Sequence, residues 1–160
     1  MQSSPAALRP KPSALPRAPA LAGHDAAAPA PVVYRLPLRV YWEDTDAGGI
    51  VFYANYLKFF ERARTEWLRA LGVHQQAMRE RTGAIFVVTH TGTHYRAPAR
   101  LDDALEVTVA VQHTGRASLQ LAQQAWRGDT LLADGEVRIG CVEAATLKPC
   151  RIPAEVLELL

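Results

Sequence analysis

Residues 41–71 read YWEDTDAGGIVFYANYLKFFERARTEWLRAL. The run opens as the end of a strand, turns through Glu43-Asp44-Thr45-Asp46, and passes Ala47-Gly48-Gly49 into an aromatic-rich step. From about Ala54 to Leu71 the period changes. Tyr56, Phe60, Ala63, Trp67 and Leu71 recur at steps of four, three, four and four, which is one face of a helix. Gly72 then stands where helices commonly end on glycine. Phe59 and Leu68 widen the apolar stripe, so the predicted helix is covered on more than one side and calls for a sheet curled around it. On its polar side Arg62 and Glu66 stand four apart, as do ion-paired residues on a helix, and Arg64 is placed to pair with Glu61. The order of the pieces matters chemically. A carboxylate on a Gly-Gly turn just upstream of a helix start lies near free backbone N–H donors. A base or nucleophile beside such donors is the minimum equipment for attacking a carbonyl and holding the oxyanion that forms.

Outward from this run, Val32 to Trp42 (VVYRLPLRVYW) reads as a first strand. Pro37 cannot donate to a ladder, so this strand belongs at a sheet edge or begins late. His74 to Thr82 reads as a short second helix or a loop closed by Gly83. Strands follow over Ala84–Arg96, Leu105–His113, Ala117–Trp126 and Leu131–Val142, with a short terminal helix over Pro153–Leu160. The stretch ASLQLAQQAW alternates less cleanly than its neighbours and resembles a helix, but Gly115 and Gly128 bound it as a hairpin strand. Tight connections at Gly115-Arg116 and Arg127-Gly128-Asp129 make the last three strands an antiparallel meander. The expected architecture is α+β: one long helix packed on a single curved antiparallel sheet.

Composition divides the chain at residue 31. Seven of the 11 prolines lie in residues 1–31, with no aromatic residue among them, so this part reads as a disordered Ala/Pro-rich extension and residues 32–160 as one domain. The extension also holds the excess charge of +2, through Arg9, Lys11 and Arg17 against Asp25. The domain itself is neutral, which argues against a nucleic-acid surface. No run of about 18 apolar residues could span a membrane. Cys141 and Cys150 form no CxxC pair and have no His at zinc-ligand spacing, so they read as reduced thiols of a cytoplasmic protein.

Taken residue by residue, several groups have two readings. Asp46 is either a turn cap or a reactive carboxylate. Asp44 reads as a turn residue that holds the loop through its side chain. Gly48 and Gly49 fit positive φ or a close approach of substrate. His90 and His94 would lie about 13 Å apart along a strand, too far to share a metal. No P-loop, GxSxG, HExxH or GxGxxG occurs, which removes the nucleotide-hydrolase, serine-hydrolase and zinc-protease classes.

The segment Asp44-Thr45-Asp46-Ala47-Gly48-Gly49-Ile50-Val51-Phe52-Tyr53-Ala54-Asn55-Tyr56 resembles the signature of hotdog-fold acyl-CoA thioesterases. It is most similar to the 4-hydroxybenzoyl-CoA thioesterase family, and within it to the bacterial, YbgC-like branch associated with the Tol-Pal envelope system. Phe60-Glu61-Arg62-Ala63-Arg64-Thr65-Glu66 and Tyr95-Arg96-Ala97-Pro98-Ala99-Arg100-Leu101-Asp102-Asp103 resemble that branch too, and the likeness spans about residues 34–155. It implies a hotdog fold, no metal or redox cofactor, and hydrolysis of short-chain or aromatic acyl-CoA to free acid and CoA. It implies Asp46 as general base or nucleophile, and the backbone amide near Tyr53 as the donor that polarises the thioester carbonyl. Gly49, Val51 and Tyr56 are implied to line the substrate, and Arg116 and Ser118 to meet the coenzyme A phosphates. The branch commonly has His where this chain has Tyr53; aromatic-benzoyl members have Tyr there. A backbone donor survives that exchange, whereas a proton relay through imidazole does not. The family pairs subunits edge to edge, which implies a homodimer building a homotetramer. Two other functions use the same fold. A hydratase would need a His about five residues beyond the carboxylate, and Val51 stands there. A non-catalytic scaffold binding acyl-CoA or acyl carrier protein is the remaining alternative.

Overall fold

The computed structural model describes residues 34–160. The expected extension over residues 1–31 and the first two residues of the expected opening strand lie outside them. Five antiparallel strands form one sheet in the order β1-β3-β4-β5-β2: β1 is Tyr34–Arg39, β2 Ala84–Tyr95, β3 Ala104–Thr114, β4 Ser118–Arg127 and β5 Thr130–Glu143. Strands β3, β4 and β5 are the expected meander. Pro37 sits in edge strand β1 opposite Glu106, where its missing N–H leaves no gap inside the sheet.

Helix α1, Asn55–Ala70, packs across β1, β3 and β4. Tyr56, Phe60, Ala63 and Trp67 are buried as their spacing predicts, and so are Phe59 and Leu68, so the helix is enclosed on more than one side. Replacing an aromatic side chain as deeply buried as Phe59 or Trp67 by alanine costs about 3–5 kcal/mol. The Val73 amide closes the helix on the Leu68 carbonyl at 2.8 Å, with Gly72 at φ 84° between them. His74–Thr82 resolves as a helix, α2 over Gln75–Thr82, and the chain ends in a short helix α3, Ala154–Leu157.

The polar face of α1 departs from the expected ion pairs. Glu66 pairs with Arg69 rather than Arg62, and Arg62 lies over the Phe59 ring at 6.0 Å. Glu61 accepts the Thr65 hydroxyl at 2.7 Å, while Arg64 turns inward and donates to Gln123 Oε1 at 2.7 Å. The reason lies in β4. Leu119, Leu121, Gln123 and Ala125 all face inward, so the strand alternates cleanly once a glutamine is counted among its core residues. Buried Gln123 must be satisfied, and it donates to the Phe60 carbonyl at 2.9 Å while accepting from Arg64. Cys141 and Cys150 are free thiols 3.6 Å apart; burial, with Cys150 adding to it, pushes the Cys141 thiol up to about 12.

Candidate active site

The site begins with a tight turn that ties itself together. The Tyr41 amide donates to Asp44 Oδ2 at 2.8 Å, and the Asp44 amide returns a bond to the Tyr41 carbonyl at 3.1 Å. Asp44 is buried, so its carboxylate serves the loop, as the sequence predicts. A small hairpin follows. Asp46 N–H bonds the Ile50 carbonyl at 2.9 Å and Phe52 N–H bonds the Asp44 carbonyl at 2.9 Å, with Thr45 bridging Val51. Asp46 stands exposed at the hairpin tip, where Oδ1 accepts the Gly48 N–H at 2.8 Å. Both glycines are needed there. Gly49 has φ +72°, and a Cβ on Gly48 would come within 3.0 Å of Asp46 Oδ1. Among the described residues Asp46 Oδ2 has no hydrogen-bond partner, so one oxygen fixes the side chain and the other faces solvent.

Four contacts lock this hairpin to the helix and to the turn after β2. The buried Asn55 amide donates to the Asp44 carbonyl at 2.9 Å. Val51 N–H donates to the Ala99 carbonyl at 2.9 Å, and Ala99 N–H donates to the Tyr56 hydroxyl at 3.2 Å. Arg100 reaches the Gly49 carbonyl at 3.5 Å. The two motifs that stand about fifty residues apart in the chain are therefore one structural unit. Asp103 secures its far side by accepting from the Arg100 amide at 2.8 Å and the Arg127 guanidinium at 2.7 Å. Burial pushes the Asp103 carboxyl up, but those two donors outweigh it and hold the group below its ordinary 3.8.

The hairpin delivers the chain to the start of α1. No side chain caps this helix, and among the described residues the Tyr53 and Ala54 amides have no acceptor. Two free N–H donors at a helix N-terminus, reinforced by the helix dipole, suit a developing negative charge. Tyr95, at the end of β2, donates its hydroxyl to the Tyr53 carbonyl at 3.0 Å. Its ring lies 6.2 Å from that of Tyr53 and 5.6 Å from that of Tyr56. The side chains of Phe52, Tyr53 and Tyr95 are all exposed. One helical turn beyond Tyr53, a cleft of about 520 Å³ opens between α1 and the β2–β5 side of the sheet, with Leu57, Arg64, Val88 and Val137 in its walls.

Asp46, Gly49 and the Tyr53 amide thus share one exposed segment. Val51 and Tyr56 belong to it as well, but their side chains are buried and position it from beneath. Arg116 and Ser118 are not brought to it. They follow β3 at the opposite end of the sheet, about 30 Å away along the strand. His90 and His94 lie beside Glu136 at 3.9 Å and Asp134 at 3.8 Å. Asn55 and Tyr95 emerge as site residues only in three dimensions. The one sequence signal for Asn55 is a buried-type helix position filled by an amide beside an acidic turn.

A family model described as Thioesterase-like superfamily matches residues 40–160. The chain is 42% identical over 123 residues to the acyl-CoA thioesterase YbgC of Haemophilus influenzae, covering 77% of this chain and 90% of that protein. It is 44% identical over 127 residues to the acyl-CoA thioester hydrolase YbgC of Escherichia coli O6:H1, covering 78% and 93%. Among solved structures, a probable thioesterase from Bartonella henselae superposes with a TM-score of 0.72 at 31% identity, covering 75% of this chain and 98% of that one.

Proposed function

We propose, from the premise that this chain belongs to the thioesterase-like superfamily and is a thioester hydrolase, that it hydrolyses short-chain or aromatic acyl-CoA. The observation that carries the reading is the Asp46 carboxylate, fixed through one oxygen on a preformed turn, seven and eight residues before two unpartnered helix-start amides. The thioester carbonyl oxygen takes the Tyr53 and Ala54 amides as the oxyanion's donors. Asp46 either removes a proton from an attacking water or attacks the carbonyl itself, forming a mixed anhydride that water then opens. In both routes the C–S bond breaks, the acyl carbon gains a water oxygen, and CoA leaves as thiolate. A thiolate leaves readily, so no strong acid is needed. The product acid and CoA are the same either way.

We place the enzyme in the cytoplasm, a setting that suits the two free thiols, and assign it no cofactor. It acts as a homodimer or homotetramer, because the 12-residue edge strand β2, with Val88 and Tyr95 exposed on it and Tyr53 exposed beside it, calls for a covering surface. Arg116 and Ser118 then serve the coenzyme A phosphates of a neighbouring subunit rather than their own. Light scattering tests this: a monomer would leave them without a role at the site. Acyl carrier protein is the alternative thiol carrier.

The decisive experiment measures thiol release from short-chain, long-chain and aromatic acyl-CoAs, and from acyl carrier protein, for wild type and Asp46→Asn. We expect turnover in wild type and a loss of at least about 100-fold in the variant, the scale of a lost general base. A folded wild type that releases no thiol from any member of the panel would falsify hydrolysis and favour an acyl-binding scaffold.

A further inference from the structure

We propose that Cys141 and Cys150 form a reversible dithiol–disulfide site, oxidised by a low-molecular-weight disulfide, and that closing it clamps the segment after β5 against the Arg116 turn. The inference uses neither Asp46 nor the helix start and stands whether or not the chain is a hydrolase.

The fold puts the chain's only two cysteines face to face. After β5 the chain reverses through residues 144–147 and returns along the strand, where Pro149 bridges Val142. That register sets Cys150 opposite Cys141, and the Cys150 amide donates to the Cys141 carbonyl at 3.0 Å. Opposed residues of an antiparallel pair have Cα atoms about 4.5–5.5 Å apart, inside the span of about 4.4–6.8 Å that disulfides bridge. The two sulfurs already stand 3.6 Å apart, so rotation of the side chains closes the bond without moving the backbone.

The two thiols are unequal. Cys141 is buried in the core, whereas Cys150 is only half-buried, so an oxidant in solution meets Cys150 first. Cys150, as thiolate, attacks one sulfur of the small disulfide and displaces a thiolate. Cys141 then releases its proton to solvent, attacks the Cys150 sulfur and displaces the second small thiol. Two cysteine thiols become one disulfide, and one small disulfide is reduced to two thiols. Burial, with Cys150 adding to it, pushes the Cys141 thiol up to about 12, which suits the second attacker rather than the first. In a reducing setting the pair is open at rest and closes when oxidant rises.

Closing the pair acts on a segment held by few bonds. Glu143 N–H reaches the Lys148 carbonyl at 2.9 Å, and the Ile152 amide reaches the Arg116 carbonyl at 2.8 Å. Between them the exposed Leu147 sits at φ 55°, a left-handed conformation that a leucine rarely adopts. A covalent link from Cys141 to Cys150 removes the open conformations of this hairpin. Buried Ile152 stands two residues beyond Cys150, so its bond to the Arg116 turn is held with it.

The test uses the full-length protein, folded and fully reduced, incubated with excess glutathione disulfide. Remaining thiols are alkylated in denaturant and counted by mass. Wild type should pass from two alkylated cysteines to none, carry no bound glutathione, and recover both thiols in dithiothreitol. Cys141→Ser should stop at one glutathione on Cys150, and Cys150→Ser should react at least about tenfold more slowly, as for a buried thiol. Exchange of the Ile152 amide should slow at least about tenfold on oxidation, the scale of a disulfide's effect on local opening. Two alkylatable thiols after treatment, a glutathione adduct that persists in wild type, or a link formed only between chains or only in denaturant overturns the site. Unchanged exchange at Ile152 overturns the clamp. The wild-type arms need neither variant to fold.

Discussion

The two ends of the sheet each present a polar turn, and they are built in opposite ways. At one end, residues 41–56 are held by a buried carboxylate, a buried amide and the Ala99 backbone, every bond internal to the chain. At the other end, the Gly115–Ser118 turn is closed by one backbone bond of 2.8 Å and buttressed by the Ile152 amide on the Arg116 carbonyl at 2.8 Å. The Arg116 side chain stays exposed and without an ion pair among the described residues. The first end spends its polar groups on holding its own backbone in place, which would cost no reorganisation were charge to develop there. The second leaves its charge facing solvent. A polar residue in a turn is thus no guide to function until its hydrogen bonds are accounted for.

Four substitutions probe that contrast. The largest effect belongs to Asp44→Ala, which leaves the Tyr41 amide without its acceptor and should destabilise the fold by about 1–3 kcal/mol while lowering turnover. Thermal melting beside a thiol-release assay checks it, and a variant as stable as wild type would mean the turn holds without its buried carboxylate. Tyr95→Phe comes next. It removes the hydroxyl bond to the Tyr53 carbonyl, and kcat should fall about 3- to 10-fold, the worth of one hydrogen bond, with KM unchanged. A change confined to KM would assign Tyr95 to substrate binding instead of to holding the helix-start peptide.

Asp103→Asn sharpens the comparison through pH. Because Asp103 in the folded chain ionises below its ordinary 3.8, it contributes stability above that pH and loses it as pH falls through the folded value. The variant should therefore be less stable than wild type at pH 7, and the difference should shrink below about pH 4. Parallel stability curves from pH 7 to pH 3 would show that the Arg127 contact adds nothing. The smallest effect is expected at the open end: Arg116→Ala should leave melting unchanged and raise the KM for acyl-CoA no more than about fivefold, as for an exposed charge. That rise should vanish at high salt. A large loss of stability there would make the two ends alike.

Much of this was legible from periodicity. Steps of three and four placed α1 and its buried face, and glycine boundaries placed the hairpins, because those signals follow from the geometry of a few consecutive residues. The second helix reads equally as a helix or a loop, since its one buried apolar anchor, Met78, is too little to show a period. The errors cluster where a side chain answers to a distant partner. Arg64 reads as a solvated ion pair with Glu61, yet Gln123, fifty-nine residues later, draws it inward.

The local sequence determined the elements, the turn that carries Asp46 and the glycines that allow it, since turn geometry and helix period are short-range properties of the chain. Only the tertiary structure decided which polar groups are spent and which are free. Asp44 and Asp46 are the same residue two positions apart, and packing buried one beneath Asn55 and left the other with an open oxygen. Burial is set by all the elements that close over a residue, and no short stretch of sequence contains them.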